Sequence, residues 1–261
     1  MKARINGIQI NYEIEGSEGP WVTFSHSLAC NLRMWDEQAE LLRKSHRVLR
    51  FDTRGHGASG APSGAYTLDQ LAEDLRGLLD VLGIRHTHFV GLSMGGMIGM
   101  TFALKYPGIF RALVLCDTSS RVPPEAQPVW DGRIKTALEQ GMEPLVEPTL
   151  QRWFTEPFRS LRPDTMKRVG DMIRTTPVAG YVGCCHAIPR INLTDRLGGI
   201  ASPTLIIVGD QDVGTPVAMA EAIHDAIRDS ELVVLKNASH LSNLEQTENF
   251  NSALDRFLAA H

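Results

Sequence analysis

Ser93 lies in the string Gly91-Leu92-Ser93-Met94-Gly95-Gly96, a G-x-S-x-G pattern. A serine at the tip of a tight strand-to-helix turn presents its hydroxyl as a nucleophile on a strained backbone. Small residues on both sides, here Gly91 and Gly95, let the chain double back. A hydroxyl is a poor nucleophile at neutral pH, so a base must stand beside it. Of nine histidines, His240 fits best. It follows the run Glu231 to Leu235 through the polar loop Lys236-Asn237-Ala238-Ser239. Catalytic groups of open α/β sheets gather on such loops, beyond the C-terminal ends of strands. The imidazole in turn needs a carboxylate to fix its tautomer. Asp210 and Asp212 follow the apolar run Thr204 to Val208, and Asp117 follows Ala112 to Cys116. The reading takes Asp212 as the acid and Asp210 as the cap of the turn, with Asp117 as the rival.

The oxygen of a tetrahedral intermediate needs N–H donors. One is the backbone N–H of Met94, at the start of the helix after Ser93. The second is the N–H of Leu28, in the loop Ser25-His26-Ser27-Leu28-Ala29 that follows the strand Trp21 to Phe24. His26 reads as a structural histidine bonded to nearby backbone. In Asp52-Thr53-Arg54-Gly55-His56-Gly57-Ala58-Ser59, Arg54 and Asp52 read as bracing a tight turn.

These groups must be carried by a sheet. Strand and helix signals alternate along most of the chain, which predicts a largely parallel α/β sheet. Asn6-Gly7 marks an opening hairpin, after which Ile8, Ile10, Tyr12 and Ile14 alternate. Arg47 to Phe51 is a strand ending at Asp52. Tyr66 to Leu82 is a helix with a Thr67/Gln70 capping box, a leucine stripe and Gly83 as its stop. Thr87 to Leu92 and Met94 to Lys105 form the strand and helix around Ser93. From about Arg121 to Arg190 the alternation stops, and Pro, Arg, Trp and Met dominate. It resumes with a strand at Thr204 to Val208, a helix from Val217 to Ile227 and a final amphipathic helix carrying Leu244, Phe250, Leu254 and Phe257. The expected division is a core domain of residues 1–120 and 191–261, with residues 121–190 inserted as a helical cap.

Composition narrows the function classes. Twenty-six Lys and Arg against thirty Asp and Glu leave a net charge of −4 over 261 residues. That balance argues against a nucleic-acid footprint or a basic face for anionic lipid. The N-terminus has no apolar core of a secretory signal, and the longest uncharged stretch, Thr87 to Leu104, contains His88, Ser93 and four glycines. Cys30, Cys116, Cys184 and Cys185 show no zinc spacing and no disulfide framework. The expectation is a cytoplasmic protein with free thiols and no membrane or nucleic-acid partner.

Taken together, DTRGHGAS at 52–59, GLSMGG at 91–96, GDQDVGTP at 209–216 and NASHLSNLEQ at 237–246 resemble the α/β-hydrolase superfamily across essentially the whole chain. Ser93, Asp212 and His240 stand in that superfamily's chain order. Within it, SHSLACNLRMW at 25–35, DTSSR at 117–121, RWFT at 152–155 and GYVGCCHAI at 180–188 resemble 3-oxoadipate enol-lactonases of aromatic-acid catabolism. Ser27 and Ala29 stand where glycine is common in the superfamily, although Ser-Leu at 27–28 is typical of the lactonase group.

The resemblance implies a serine hydrolase that opens the ring of 3-oxoadipate enol-lactone through an acyl-enzyme on Ser93, with no metal or organic cofactor. A lactone bearing a free carboxylate needs a cation in the pocket. Arg133 near Trp130, and Arg152 beside Trp153, are the candidates in the 121–190 segment, with Arg133 first. The alternatives are a general carboxylesterase or cofactor-free perhydrolase of the same fold, and a hydrolase-fold small-molecule receptor.

Overall fold

A computed structural model describes residues 1–261. Eight strands form one sheet: β1 (Lys2–Ile5), β2 (Ile8–Glu15), β3 (Trp21–Ser25), β4 (Arg47–Phe51), β5 (Thr87–Leu92), β6 (Phe110–Cys116), β7 (Thr204–Gly209) and β8 (Glu231–Leu235). Their spatial order is β1-β2-β4-β3-β5-β6-β7-β8. The β1–β2 hairpin turns at Asn6-Gly7, where both residues have positive φ, and β2 joins β4 antiparallel. All the other pairings are parallel. This is the largely parallel α/β sheet that the alternation predicts.

The helices outside the β6–β7 connection are α1 (Asp36–Leu42), α2 (Leu68–Val81), α3 (Met94–Lys105), α9 (Val217–Ala226), α10 (Ser242–Glu245) and α11 (Thr247–Ala259). The predicted helix 66–82 is trimmed at both ends. Thr67 is its N-cap, accepting the Gln70 N–H through its side chain, which is one half of the expected capping box. Leu71, Leu75, Leu78 and Leu79 face the sheet. The helix α3 is buried almost all round. Its glycines let it lie close: a Cβ on Gly99 would sit 2.6 Å from the Phe89 ring. The final helix is broken at Gln246 into α10 and α11.

Between β6 and β7 the chain forms five helices and no strand: α4 (Gln127–Gln140), α5 (Glu143–Trp153), α6 (Glu156–Leu161), α7 (Pro163–Thr175) and α8 (Val178–Ala187). Arg121 and Asn192 bridge at the base of this excursion, backbone to backbone and through an Arg121 Nε–H donated to Asn192 Oδ1 at 2.7 Å. The helix α8 presses on the turn after β4. A Cβ on Gly180 would lie 1.9 Å from the Gly55 carbonyl oxygen, and the Tyr66 N–H donates to Gly183 O at 3.0 Å.

Topology decides where the chemistry can sit. The chain leaves β3 for β4 on one side and returns to β5 on the other, so the strand order reverses between β3 and β5. Loops diverge at such a point and leave a crevice at the carboxyl ends of the strands. Ser25 pairs with Gly91, which brings the loop after β3 beside the turn after β5. Gly209 pairs with Leu235, which does the same for the loops after β7 and β8.

Candidate active site

Ser93 has φ 55° and ψ −115°, a left-handed conformation that β-substituted residues avoid. Its N–H donates to Cys116 O at 2.8 Å, and its carbonyl accepts the Thr118 hydroxyl at 2.7 Å. The turn closes only because its neighbours lack side chains. A Cβ on Gly91 would meet Gly95 backbone at 2.4 Å, and one on Gly95 would meet Ser25 O at 2.2 Å. The strained serine is thus fixed from both sides by adjacent strands.

His240 is buried, and its Nδ1–H donates to Asp212 Oδ2 at 2.7 Å. The Asp212 carboxylate is itself filled. Its Oδ1 accepts the N–H groups of Gly214 and Thr215 at 2.7 and 3.0 Å, and its Oδ2 accepts the Thr215 hydroxyl at 2.6 Å. Burial works to raise this carboxyl, but the His240 charge and the bonds from His240 and Thr215 outweigh it and hold Asp212 below the usual carboxylate range. Ser93 and His240 line the same cavity of about 270 Å³. Ser93 Oγ makes no direct hydrogen bond with His240, and such catalytic bonds often tighten only around a reacting group.

The other two aspartates take different places. Asp117, fully buried with φ 43°, accepts the Gly209 N–H at 2.9 Å and the Ser242 hydroxyl at 2.5 Å. It ties the end of β7 to the start of α10 and does not bond the imidazole. Burial and the Asp212 charge push its carboxyl well above the usual range. Asp210 caps nothing, contrary to expectation. Its carboxylate only approaches Lys236 Nζ at 3.6 Å. Asp212 caps the turn instead, because its side chain is the one in register with the N–H groups two and three residues on.

The N–H groups of Leu28 and Met94 donate to nothing within the chain. Leu28 borders the cavity, whereas the Met94 side chain is buried beneath it. The Leu28 loop is pinned by two histidines. His26 Nδ1–H donates to Ser27 O at 2.7 Å while its Nε2 accepts the Thr53 N–H at 3.0 Å. His56 Nε2 accepts the Ala29 N–H at 3.0 Å, and its Nδ1–H donates to Arg54 O at 3.2 Å. Ala29 has φ 59°, which accounts for the glycine common at this place. Burial lowers His26 to about 4 and His56 to about 3, so both rings are neutral and can accept. Sequence reading makes His26 structural, but the cross-lacing of the two turns needs the fold.

The expected Asp52–Arg54 brace is divided. Asp52 accepts the Leu32 and Ala58 N–H groups, each at 2.8 Å, and so binds the turn. Arg54 instead reaches α2, where it makes a bidentate pair with Asp74 at 2.6 and 2.7 Å.

Arg133, Trp130, Arg152 and Trp153 all line the cavity that contains Ser93 and His240. Arg133 lies over the Trp130 ring at 4.6 Å, and Trp153 packs 5.9 Å from the His240 ring. Neither guanidinium pairs with a carboxylate of the chain. Burial, and then the Arg133 charge, lower Arg152 to about 10. Thr215 and Glu245 were not singled out in the sequence. Thr215 could have been found from the Asp-x-x-Thr spacing of an Asx turn. No group of three or more His, Cys, Asp or Glu side chains is arranged to hold a metal ion, and no helix is long and apolar enough to cross a membrane.

The model of the alpha/beta hydrolase fold family matches residues 20–247. The chain belongs to the alpha/beta hydrolase fold family. It is 36% identical over 249 residues to 3-oxoadipate enol-lactonase 2 of Acinetobacter baylyi, covering 95% of this chain and 92% of that one. Among solved structures, the enol-lactonase from Burkholderia xenovorans LB400 superposes with a TM-score of 0.95 at 37% identity, covering 99% of this chain and all of that one. A thermophilic esterase from Thermogutta terrifontis superposes at 0.94 with 30% identity, over 100% and 98% of the two chains. The chain path of this alpha/beta hydrolase is therefore that of solved hydrolases.

Proposed function

We propose that this chain is a serine hydrolase that opens 3-oxoadipate enol-lactone to 3-oxoadipate. One observation carries the reading: Ser93, the Asp212-supported His240 and two unpaired guanidiniums line one cavity. That combination suits an ester carbonyl attached to an anion. The similarity to named enol-lactonases supports the choice of ester.

In the proposed mechanism His240 Nε2 takes the Ser93 hydroxyl proton as Oγ bonds to the lactone carbonyl carbon. The N–H groups of Leu28 and Met94 hold the oxyanion. The ring C–O bond then breaks, and the enol oxygen leaves with the proton from His240. The enol tautomerises to a ketone, which removes the group that could close the ring again. Water gives a proton to His240 as its oxygen bonds to the acyl carbon; the C–Oγ bond then breaks, Ser93 Oγ takes that proton back from His240, and the second carboxylate is released. Asp212 stabilises the imidazolium in both halves. Arg133, stacked on Trp130, receives the substrate carboxylate, and Trp153 walls the pocket. We further propose that residues 121–190 act as a cap on a core of residues 1–120 and 191–261, in a cytoplasmic protein.

Steady-state kinetics on 3-oxoadipate enol-lactone and on p-nitrophenyl acetate test this reading. Ser93→Ala should abolish turnover of both. Arg133→Ala should raise KM for the lactone at least tenfold, about 1.4 kcal/mol, and leave the neutral ester within twofold. Equal losses on both substrates would refute the carboxylate role. Higher kcat/KM on neutral esters than on the lactone would favour a carboxylesterase.

A further inference from the structure

Glu245 is a buried carboxylate five residues beyond His240, and it has no place in the mechanism above. No lysine or arginine pairs with it. Its Oε2 accepts the Ser239 N–H at 2.8 Å, one residue before His240. Its Oε1 accepts the Thr155 N–H at 3.0 Å and also the Thr155 hydroxyl. Thr155 lies in the helical excursion between β6 and β7, two residues after Trp153. The same two segments are joined twice more. The Ser239 hydroxyl donates to Arg152 O at 3.0 Å, and the Leu241 N–H donates to Trp153 O at 3.2 Å. The residues on either side of His240 are thus both bonded to the short stretch that supplies Arg152 and Trp153 to the cavity.

We propose that Glu245 is a positioning residue: it bridges Ser239 and Thr155, so the His240 loop and the Arg152–Thr155 pocket wall are held as one unit. This rests on the serine-hydrolase reading above. The chemistry fits a carboxylate and little else. Three donors converge on it, and an ionised carboxylate accepts at both oxygens without donating. A glutamine has one accepting oxygen, so its NH₂ must face either the Ser239 N–H or the Thr155 donors. One side of the bridge then opens, and a buried N–H is left facing a donor. His240 directly follows Ser239, so opening the bridge moves the base itself. Small misplacements of a reacting group are felt in the rate of chemistry.

The experiment compares wild type, Glu245→Gln, Thr155→Val and Thr155→Ser on 3-oxoadipate enol-lactone, with Ser93→Ala as control. Rates are expressed per reactive serine, counted by end-point labelling with a fluorophosphonate, so that unfolded protein does not enter. Glu245→Gln should lower kcat at least fivefold with KM within threefold. Thr155→Val should lower kcat at least threefold, and Thr155→Ser should restore it to within twofold. Thr155→Val and Thr155→Ser decide the matter if Glu245→Gln does not fold. Smaller losses of kcat per serine, a loss confined to KM, or no rescue by serine would overturn the positioning role, even with a lowered Tm. Turnover surviving in Ser93→Ala would instead overturn the serine-hydrolase reading.

Discussion

A serine hydroxyl gains its reactivity from its surroundings, and at Ser93 these are unusually well specified. The backbone is held at φ 55°, which costs about 1–3 kcal/mol and persists because the bonds to Cys116 and Thr118 fix Ser93 while Gly91 and Gly95 make room for the turn. His240 is oriented through Nδ1, which leaves Nε2 for the substrate side. Asp212 receives four hydrogen bonds, from His240, Thr215 twice and Gly214. Replacing it with asparagine would keep the shape and spoil the tautomer. Asp212→Asn should lower kcat by about 10³–10⁴ in a protein that still folds. A loss of less than tenfold would mean that another group orients the imidazole, with Asp117, whose carboxyl feels the Asp212 charge, as the candidate.

At the scale of elements, two glycine contacts join α8 to the rest of the molecule. Gly180 lies against Gly55, and Gly183 lies against the Tyr66 ring. Adding a methyl group at Gly180 sets a Cβ 1.9 Å from a backbone carbonyl, which a side-chain rotation cannot relieve. Gly180→Ala should therefore destabilise the fold by about 1–3 kcal/mol, read as a lowered urea midpoint. It should also weaken lactone binding, because α8 carries Tyr181 into the cavity. A stability within about 0.5 kcal/mol of wild type would show that α8 can shift freely. The DTRGHGAS string likewise works as an element, not as a set of catalytic groups. Its Asp52 and His56 hold residues 29 and 32, so it fixes the Leu28 loop from behind.

Over the whole molecule, burial of neutral histidines sets the response to acid. His26 and His88 are lowered to about 4 and His56 to about 3, each chiefly by burial. The unfolded chain takes up these protons near 6.5, whereas the folded chain resists them. The unfolded state thus binds more protons between pH 6.5 and about 3–4. Stability should be full above pH 6.5 and fall steadily as the pH drops through that window. Urea midpoints measured from pH 7.5 to 4.5 check this, and His56→Gln should flatten the slope. A midpoint that stays level or rises toward pH 4.5 would contradict it. In the folded chain His56 stays neutral down to about pH 3, so it goes on accepting the Ala29 N–H across that window.

The sequence by itself determined the alternating strands and helices, the turn at Ser93, the loop position of His240 and the extent of the strand-free region. Each is encoded locally, in hydrophobic period, glycine placement and capping residues. It left three aspartates after two strands as candidates, since hydrogen-bond partners 28 residues apart are set by strand pairing and not by spacing. It offered Asp210 for the cap and set Arg54 beside Asp52 as a brace of the same turn, both by proximity along the chain. Tertiary structure alone decided that Arg54 meets Asp74 on α2, that Asp117 turns to Gly209 and Ser242, and that Glu245 meets Thr155 ninety residues away. Those partners come together because a sheet whose order reverses between β3 and β5 gathers loops remote in sequence at one edge, where burial forces each polar group to find a bond.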